Sequence, residues 1–219
     1  MLKLMVFDLD GTLVDSRRDL AESANELLAT YGAPALSVDR VTAMVGEGAR
    51  VLVERVLAAR SIGESPDAAL ARFLDIYERR VVDCTRAYPG AREALVALAG
   101  RVPLAVLTNK PGRHTGLLLD ALDLRRFFTE VIGGDSAFPR KPDPSALRHL
   151  VGLAGATPET TLMVGDSIVD VDTARRAGCR MCVARYGFGV VPQSAITSDT
   201  VVAQTSEGLL GTLTGLVAA

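Results

Sequence analysis

The sequence predicts an α/β fold in which a parallel β-sheet is covered by helices on both faces and carries an inserted α-helical cap domain. Three observations support this prediction: short apolar runs typical of buried strands recur along the chain, helical patterns separate most of them, and one long stretch after the first strand contains helical patterns alone. Alternating strands and helices imply right-handed crossovers, which produce parallel sheets of this kind.

Short apolar segments bounded by turn residues or by helical patterns predict the strands of the sheet. Each is too short for a helix of average length and is rich in Val, Ile, Leu or Met. The predicted strands are Lys3–Phe7, Val102–Leu107, Glu130–Ile132, Thr161–Val164, Met181–Ala184 and Val201–Ala203.

Proline and glycine positions mark the ends of the helices between these strands. Pro111 and Pro144 fall where first turns are expected, because proline lacks the N–H that a helix start leaves unpaired. Gly100, Gly155 and Gly178 follow apolar periodic stretches, as glycine does after helix ends.

A helical insertion divides the predicted sheet domain. From Asp15 to about Arg86 the pattern is helical, and it is broken at 32–34, 46–48 and 63–66. We therefore predict a Rossmann-like core domain formed by residues 1–14 and 86–219, and a cap domain formed by residues 15–85. An insertion beside the end of the first strand is well placed to close over a site as a lid.

Composition restricts the function classes. The chain has 219 residues, 48% of them apolar, and a net charge of −2, so it can bury a substantial core and has no basic excess that predicts nucleic-acid binding. No apolar run reaches the ~18 residues of a membrane span. Three cysteines, an odd number, argue against a disulfide framework. We expect a cytoplasmic protein that binds neither nucleic acid nor membrane.

The first candidate site lies where an apolar run meets a glycine. Asp8 and Asp10 follow the first predicted strand, at the strand end where parallel sheets hold ligands, and their spacing points both side chains in similar directions. Two adjacent carboxylates predict a metal ion, a shared proton, or a nucleophile beside a general acid. A capped turn without a ligand explains the same residues about equally well.

Three later junctions add polar residues at further strand ends or in the loops beyond them. Thr108 and Asn109 follow the second predicted strand, Lys141 lies in a proline-flanked loop, and Asp166 and Asp170 follow the fourth. Taken singly, a helix N-cap explains Thr108 and Asn109, a surface turn explains Lys141, and metal binding explains Asp166 and Asp170. Together they place carboxylates, a hydroxyl and a lysine at one rim of the sheet, a combination that predicts phosphoryl transfer.

The ordered motifs resemble those of the haloacid dehalogenase superfamily, and the resemblance covers the whole chain. The motifs are the 8–12 segment, Thr108-Asn109, Lys141-Pro142, and the 165–167 segment with Asp170. The insertion resembles the small cap that follows the first motif in that superfamily. Further segments resemble bacterial phosphoglycolate phosphatases: Asp15-Ser16, Val45–Ala49, Tyr88–Gly90, Thr108–Pro111 and Tyr186–Gly189.

This resemblance implies a role for each core acid. Asp8 would attack phosphorus and form an aspartyl phosphate, and Asp10 would protonate the leaving group and then activate water. The cofactor implied is Mg²⁺, held by a carboxylate oxygen of Asp8, the main-chain carbonyl of Asp10 and a carboxylate oxygen of Asp166. Asp170 is expected to orient metal-bound water from behind these ligands.

The same resemblance assigns the remaining site residues. Lys141 would offset negative charge on the nucleophile and the transferring group, and Thr108 and Asn109 would bind phosphate oxygens, with Thr12 expected among the substrate-binding residues. A loop in the cap is the candidate for the rest of the substrate, although a plain inter-helix turn explains it equally well. Its candidate residues are Gly46, Glu47, Gly48 and Arg50.

The expected reaction is Mg²⁺-dependent hydrolysis of a small phosphorylated metabolite, with 2-phosphoglycolate as the first choice, by a monomer or homodimer. Pyrophosphate or an amino-sugar phosphate is the alternative substrate. A sugar-phosphate mutase is a weaker alternative, because Leu20 stands where such mutases carry a hinge histidine. A non-enzymatic receiver-like phosphoprotein is weaker still.

Overall fold

The computed structural model describes residues 1–218 and contains a six-stranded parallel sheet together with a two-stranded ribbon. All six predicted strands are present within a residue or two of the predicted limits. In chain order the strands are β1 (Leu4–Phe7), β2 (Val14–Asp15), β3 (Arg86–Ala87), β4 (Leu104–Leu107), β5 (Glu130–Ile132), β6 (Thr161–Gly165), β7 (Arg180–Ala184) and β8 (Val201–Ala203). The large sheet has the order β5-β4-β1-β6-β7-β8.

Strand β1 shows how the sheet forms two cores. Met5 and Phe7 pack into the apolar cluster on one face, while Leu4 and Val6 pack into the cluster on the other. This alternation is the two-residue period of a strand, and all four side chains are buried because helices cover both faces. The predicted fold class is therefore confirmed, and Asp8 follows directly at the carboxyl end of a central strand.

The helices divide between the core and the insertion. In chain order they are α1 (Arg17–Thr30), α2 (Val38–Thr42), α3 (Ala49–Ala58), α4 (Pro66–Arg79), α5 (Ala91–Leu98), α6 (Gly112–Ala121), α7 (Ser145–Leu153), α8 (Ile168–Ala177) and α9 (Leu209–Ala218). Helices α5, α6 and α9 contribute to one apolar cluster and α7 and α8 to the other. None of the helices within residues 1–218 has the length and apolar character that a bilayer crossing requires.

Proline and glycine residues mark where these helices begin and end, as the sequence indicates. Pro111 and Pro144 occupy the cap position immediately before α6 and α7, one residue earlier than predicted. Gly178 closes α8 with a φ of +78°, a left-handed conformation that costs glycine little. The predicted breaks at 32–34, 46–48 and 63–66 separate α1 from α2, α2 from α3, and α3 from α4.

The chain leaves and re-enters the core through the ribbon of β2 and β3. Val14 pairs with Ala87 and Asp15 with Arg86, in antiparallel register. Beside the ribbon, the buried carboxylate of Asp19 accepts hydrogen bonds from the Cys84 and Thr85 backbone N–H groups at 2.7–3.0 Å. The sequence did not predict this ribbon, because two-residue strands carry no periodic pattern.

Candidate active site

Asp8 is held at the centre of the site by the sheet itself. Its backbone N–H donates to Val164 O at 2.9 Å, which continues the β1–β6 ladder by one residue. Its carboxylate Oδ1 lies 2.9 Å from Lys141 Nζ. Burial raises the pKa of Asp8 to about 6, although the Lys141 ammonium opposes that rise. Asp8 is thus a desolvated carboxylate beside a cation, as a nucleophile requires.

Lys141 is clamped between two carboxylates. Its Nζ lies 2.6 Å from Asp170 Oδ1 as well as 2.9 Å from Asp8. The other oxygen of Asp170 accepts from Ser167, at 3.1 Å from the backbone N–H and 2.6 Å from Oγ. Both Asp170 oxygens therefore have protein donors, and Asp170 holds Lys141 beside Asp8. Burial by itself would lower the pKa of Lys141, but Asp170 and Asp8 raise it, so the side chain stays charged.

Asp166 completes a group of buried acids. Burial raises its pKa well above the usual range, and the Asp170 and Asp8 carboxylates add to the rise. One oxygen from each of Asp8, Asp166 and Asp170 lies within 4.8 Å of the others. One Asp166 oxygen accepts the Gly189 N–H at 2.7 Å.

A divalent cation fits the charges of this group. Four acids, Asp8, Asp10, Asp166 and Asp170, share two ammonium groups, those of Lys110 and Lys141. The raised pKa values of Asp8 and Asp166 are those of buried carboxylates that lack enough positive charge beside them. Buried carboxylates without a counter-charge are costly, and hard oxygen ligands of this kind suit Mg²⁺. The donor set therefore matches the predicted cofactor, with Asp8 and Asp166 as the carboxylates best able to hold it.

Gly11 lets Asp166 approach the first motif. A Cβ on Gly11 would lie 1.9 Å from Asp166 Oδ2, and its φ of +84° falls in the left-handed region. Both the space and the backbone conformation exclude a side chain here. Gly11 is thus required because Asp166, which is distant in the sequence, packs against it.

Asp10 accepts hydrogen bonds from both sides. Ser16 Oγ donates to Oδ1 at 2.6 Å. Lys110 Nζ lies 3.1 Å from Oδ1 and 3.0 Å from Oδ2, and the Lys110 side chain is 4% exposed. Ser16 immediately precedes α1, so the first turn of the insertion contacts the acid directly. These hydrogen bonds hold the Asp10 carboxyl group in one orientation.

The Asn109 side chain connects the core loops with the insertion. Its Oδ1 accepts the Lys141 backbone N–H at 2.9 Å, and its Nδ2 donates to Lys141 O and to Gly46 O at 3.0 Å each. All the donors and acceptors of this amide are therefore in use apart from one oxygen lone pair. The side-chain amide of Asn109 therefore has no free donor for a phosphate oxygen. The predicted contact between Asn109 and phosphate is left to its backbone N–H. Thr108 lines the cavity beside it.

A cavity of about 60 Å³ lies between the insertion and the core. Its floor consists of the strand-end residues described above, and its roof is formed mainly by apolar side chains of α1, α3 and α4. The lining residues are Asp8, Asp10, Leu20, Val45, Gly46, Gly48, Ala49, Leu52, Phe73, Leu74, Tyr77, Thr108, Asn109, Lys110, Pro111, Asp166, Ser167, Phe188 and Gly189.

Three predicted substrate-binding residues do not line this cavity. Glu47 pairs with Arg55, and Arg50 pairs with Asp67 on α4, so both side chains are engaged in ion pairs within the insertion. Thr12 is fully buried, and its carbonyl accepts from the Tyr186 hydroxyl at 2.8 Å. Among the predicted cap residues, the structure brings Gly46 and Gly48 to the cavity.

Sequence reasoning missed the contributions of Lys110, Ser16 and Tyr77. Lys110 Nζ lies 4.5 Å from the centre of the Tyr77 ring, which comes from α4. One signal for Lys110 was present, because it directly follows the Thr108-Asn109 strand end. No pattern in the sequence pairs Tyr77 with this lysine, since the two residues meet only when α4 packs over the core.

Comparison with known proteins identifies the family. The model of the haloacid dehalogenase-like hydrolases matches residues 5–184, which include every motif residue of the site. The chain belongs to the haloacid dehalogenase-like hydrolase family. Phosphoglycolate phosphatase 1 of Pseudomonas aeruginosa is 41% identical to this hydrolase over 214 residues, or 95% of this chain and 78% of the relative. Phosphoglycolate phosphatase of Rhodospirillum rubrum is 42% identical over 204 residues, which cover 90% and 85% of the two chains.

A solved structure extends the similarity to the whole hydrolase fold. The crystal structure of a predicted phosphoglycolate phosphatase from Haemophilus somnus 129pt matches with a TM-score of 0.89 and 33% identity, covering 96% of this chain and 97% of that chain. The prediction of a haloacid dehalogenase-type enzyme related to bacterial phosphoglycolate phosphatases is therefore confirmed.

Proposed function

We propose that this hydrolase is a Mg²⁺-dependent phosphomonoesterase that forms an aspartyl phosphate on Asp8 and hydrolyses 2-phosphoglycolate to glycolate and phosphate. The observation that carries the proposal is the placement of Asp8, which lies 2.9 Å from Lys141 Nζ and within 4.8 Å of Asp166 and Asp170 at the end of a central strand. The names of the relatives support the same activity.

Each chemical step has a residue in reach. An Asp8 oxygen attacks phosphorus, the bond from phosphorus to the leaving oxygen breaks, and Asp10 gives that oxygen a proton. Asp10 then takes a proton from the water that cleaves the aspartyl phosphate. Lys141 stabilises the negative charge on Asp8 and on the transferring phosphoryl group.

The proposed metal site consists of Asp8, the Asp10 carbonyl and Asp166. A bound Mg²⁺ would neutralise charge that develops on the phosphoryl oxygens. Asp170 contributes by holding Lys141, to which it lies at 2.6 Å. The Gly189 N–H donates to an Asp166 oxygen at 2.7 Å and so fixes the orientation of the Asp166 carboxylate.

The proposed cap consists of residues 15–85 and closes over residues 1–14 and 86–219. The pairing of Val14–Asp15 with Arg86–Ala87 supports these limits, because both crossings of the boundary lie in one ribbon. The bond from Asn109 Nδ2 to Gly46 O supports a closed position over the core. A cavity of about 60 Å³ favours a small ester, and the apolar Leu20 in its lining offers no group for the proton transfers of a mutase.

Replacement of the nucleophile tests this function. We expect Asp8→Asn to lower phosphate release from 2-phosphoglycolate in Mg²⁺ by on the order of 10⁴-fold or more, because an amide oxygen is a poor nucleophile. In acid-quenched single turnovers, labelled phosphate should remain on the wild-type chain and be absent from the variant.

Asp172→Asn is the matched control. Asp172 lies on α8, where its carboxylate pairs with Arg175 at 2.8 Å, and it does not line the cavity. Turnover of this control should match wild type. Wild-type turnover in Asp8→Asn would refute the proposed function.

A further inference from the structure

The charges around the cavity are unevenly distributed between its floor and its roof. Carboxylates dominate the floor, and among the lining residues in the described part of the chain Lys110 alone has a basic side chain. Lys141 lies behind Asp8 with its side chain 2% exposed, so it faces the nucleophile and Asp170. A substrate that carries a second anionic group therefore meets one cation on the cap side of Asp8.

We propose that Lys110 binds this second anionic group, a carboxylate in the leaving-group part of the substrate, and thereby selects phosphorylated carboxylic acids. The inference rests on the proposed function and adds the residue that determines specificity. It differs from the sequence-based candidate for the rest of the substrate, which was the cap loop of Gly46, Glu47 and Gly48 with Arg50.

The position of Lys110 fits the geometry of the reaction. Asp10 must reach the leaving oxygen in order to give it a proton, so the leaving group extends from Asp8 past Asp10. Lys110 Nζ lies 3.0 Å from Asp10 on one side and 4.5 Å from the centre of the Tyr77 ring on the other. A carboxylate one carbon beyond the leaving oxygen would be placed in this region, between Asp10 and α4.

Lys110 retains binding capacity in this position. An ammonium group has three N–H donors, and the oxygen atoms within residues 1–218 that accept from Lys110 are the two of Asp10. At least one donor is therefore left for a ligand. Asp10 would keep the Ser16 hydroxyl at 2.6 Å if Lys110 turned partly toward the substrate.

None of the described residues in the roof of the cavity has a cationic side chain that would compete with Lys110. Leu52, Phe73 and Leu74 contribute apolar surface there, and Arg50 is held by Asp67 outside the lining. A low-dielectric roof strengthens an ion pair beneath it. The apolar roof residues give a carboxylate no ionic partner, so discrimination between esters with and without a carboxylate depends on Lys110.

The test compares two esters that differ in one group. 2-Phosphoglycolate and ethyl phosphate share the phosphate and the leaving O–CH₂ unit, but ethyl phosphate has a methyl group in place of the carboxylate. We expect Lys110→Met to lower the ratio of kcat/KM for 2-phosphoglycolate to that for ethyl phosphate by about 10- to 100-fold, the effect of losing one charge-assisted contact. Lys110→Arg should retain more of this ratio than Lys110→Met.

Arg72→Met is the matched control, because the Arg72 guanidinium also lies over a tyrosine ring, that of Tyr31, at 5.2 Å, but does not line the cavity. Its ratio should equal that of wild type. Thermal melting of each variant would separate loss of folding from loss of specificity. Because the ratio is measured on the folded, active fraction, partial unfolding leaves it unchanged.

Three outcomes would overturn the inference. Equal losses on both esters in Lys110→Met would show that Lys110 only positions Asp10. A fall in the ratio in Arg50→Gln without a fall in Lys110→Met would assign the carboxylate to Arg50. Wild-type enzyme that cleaves neither ester would refute the proposed function and with it the inference, whereas the first two outcomes leave phosphatase activity standing.

Discussion

The floor and the roof of the cavity are built on different principles. On the floor, Lys141 and Asp170 have their polar atoms engaged by protein partners at 2.6–3.1 Å, so their positions are fixed before any substrate arrives. The roof is mainly apolar and carries its charged residues in ion pairs that point elsewhere. In the proposed function the floor therefore performs the chemistry, and the roof excludes water and limits the size of the ester.

Loss of Lys141 should have the largest effect on the floor. In Lys141→Met, Asp8 and Asp170 lose the ammonium group that both contact, and the transferring phosphoryl group loses a cation. We expect kcat for 2-phosphoglycolate to fall by about 10³-fold, with a smaller change in KM. Steady-state kinetics would measure this, and the exposed Lys3→Met serves as the control. A variant within tenfold of wild-type kcat would show that the floor does not depend on this clamp.

A methyl group at Gly11 should disturb the floor by sterics alone. In Gly11→Ala the new Cβ would lie 1.9 Å from Asp166 Oδ2, and the backbone would be strained at a φ of +84°. We expect destabilisation of about 1–3 kcal/mol, measured by urea unfolding, together with weaker activation by Mg²⁺. Gly152→Ala in α7 is the control, because its Cβ meets no atom within 4 Å and should stabilise the helix slightly. Equal stabilities of the two variants would contradict this prediction.

The contact between roof and core should respond weakly to pH through His114. Its ring stacks on Tyr77 at 5.6 Å, its Nε2 lies 3.1 Å from Leu74 O, and its Nδ1 has no partner within residues 1–218. Lys110, Glu78 and Arg113 are the charged groups around it.

Burial lowers the pKa of His114 below its ordinary 6.5 in spite of the bond to Leu74. The folded chain therefore binds fewer protons at this site than the unfolded chain does. The stability contribution is complete above pH 6.5 and is lost as the pH falls below that value.

In His114→Gln, which can still donate to Leu74 O, the drop in Tm between pH 7.5 and pH 5.5 should be smaller than in wild type by about 2 °C at most. His149→Gln, at the exposed histidine of α7, should keep the wild-type drop. If the drop in Tm is the same in His114→Gln as in wild type, His114 does not couple the roof to the core.

The core motifs were predictable because each depends on a few consecutive residues. A buried strand followed by Asp8 and Asp10, or by Asp166, determines both the local backbone and the edge of the sheet at which the carboxylates emerge. The ion-pair partner of each charged side chain was not predictable in the same way. Nothing in the sequence near Arg50 distinguishes a ligand-binding arginine from one that pairs with Asp67 on the next helix.

The sequence by itself determined the parallel sheet, the helical insertion and the set of reactive groups, because apolar runs, helical patterns and the residues that follow strand ends are local properties. The tertiary structure alone decided which charges remain available to a substrate. Lys110 meets Asp10 across 100 positions when the core strands assemble, and it meets Tyr77 across 33 positions only when the insertion packs over the core.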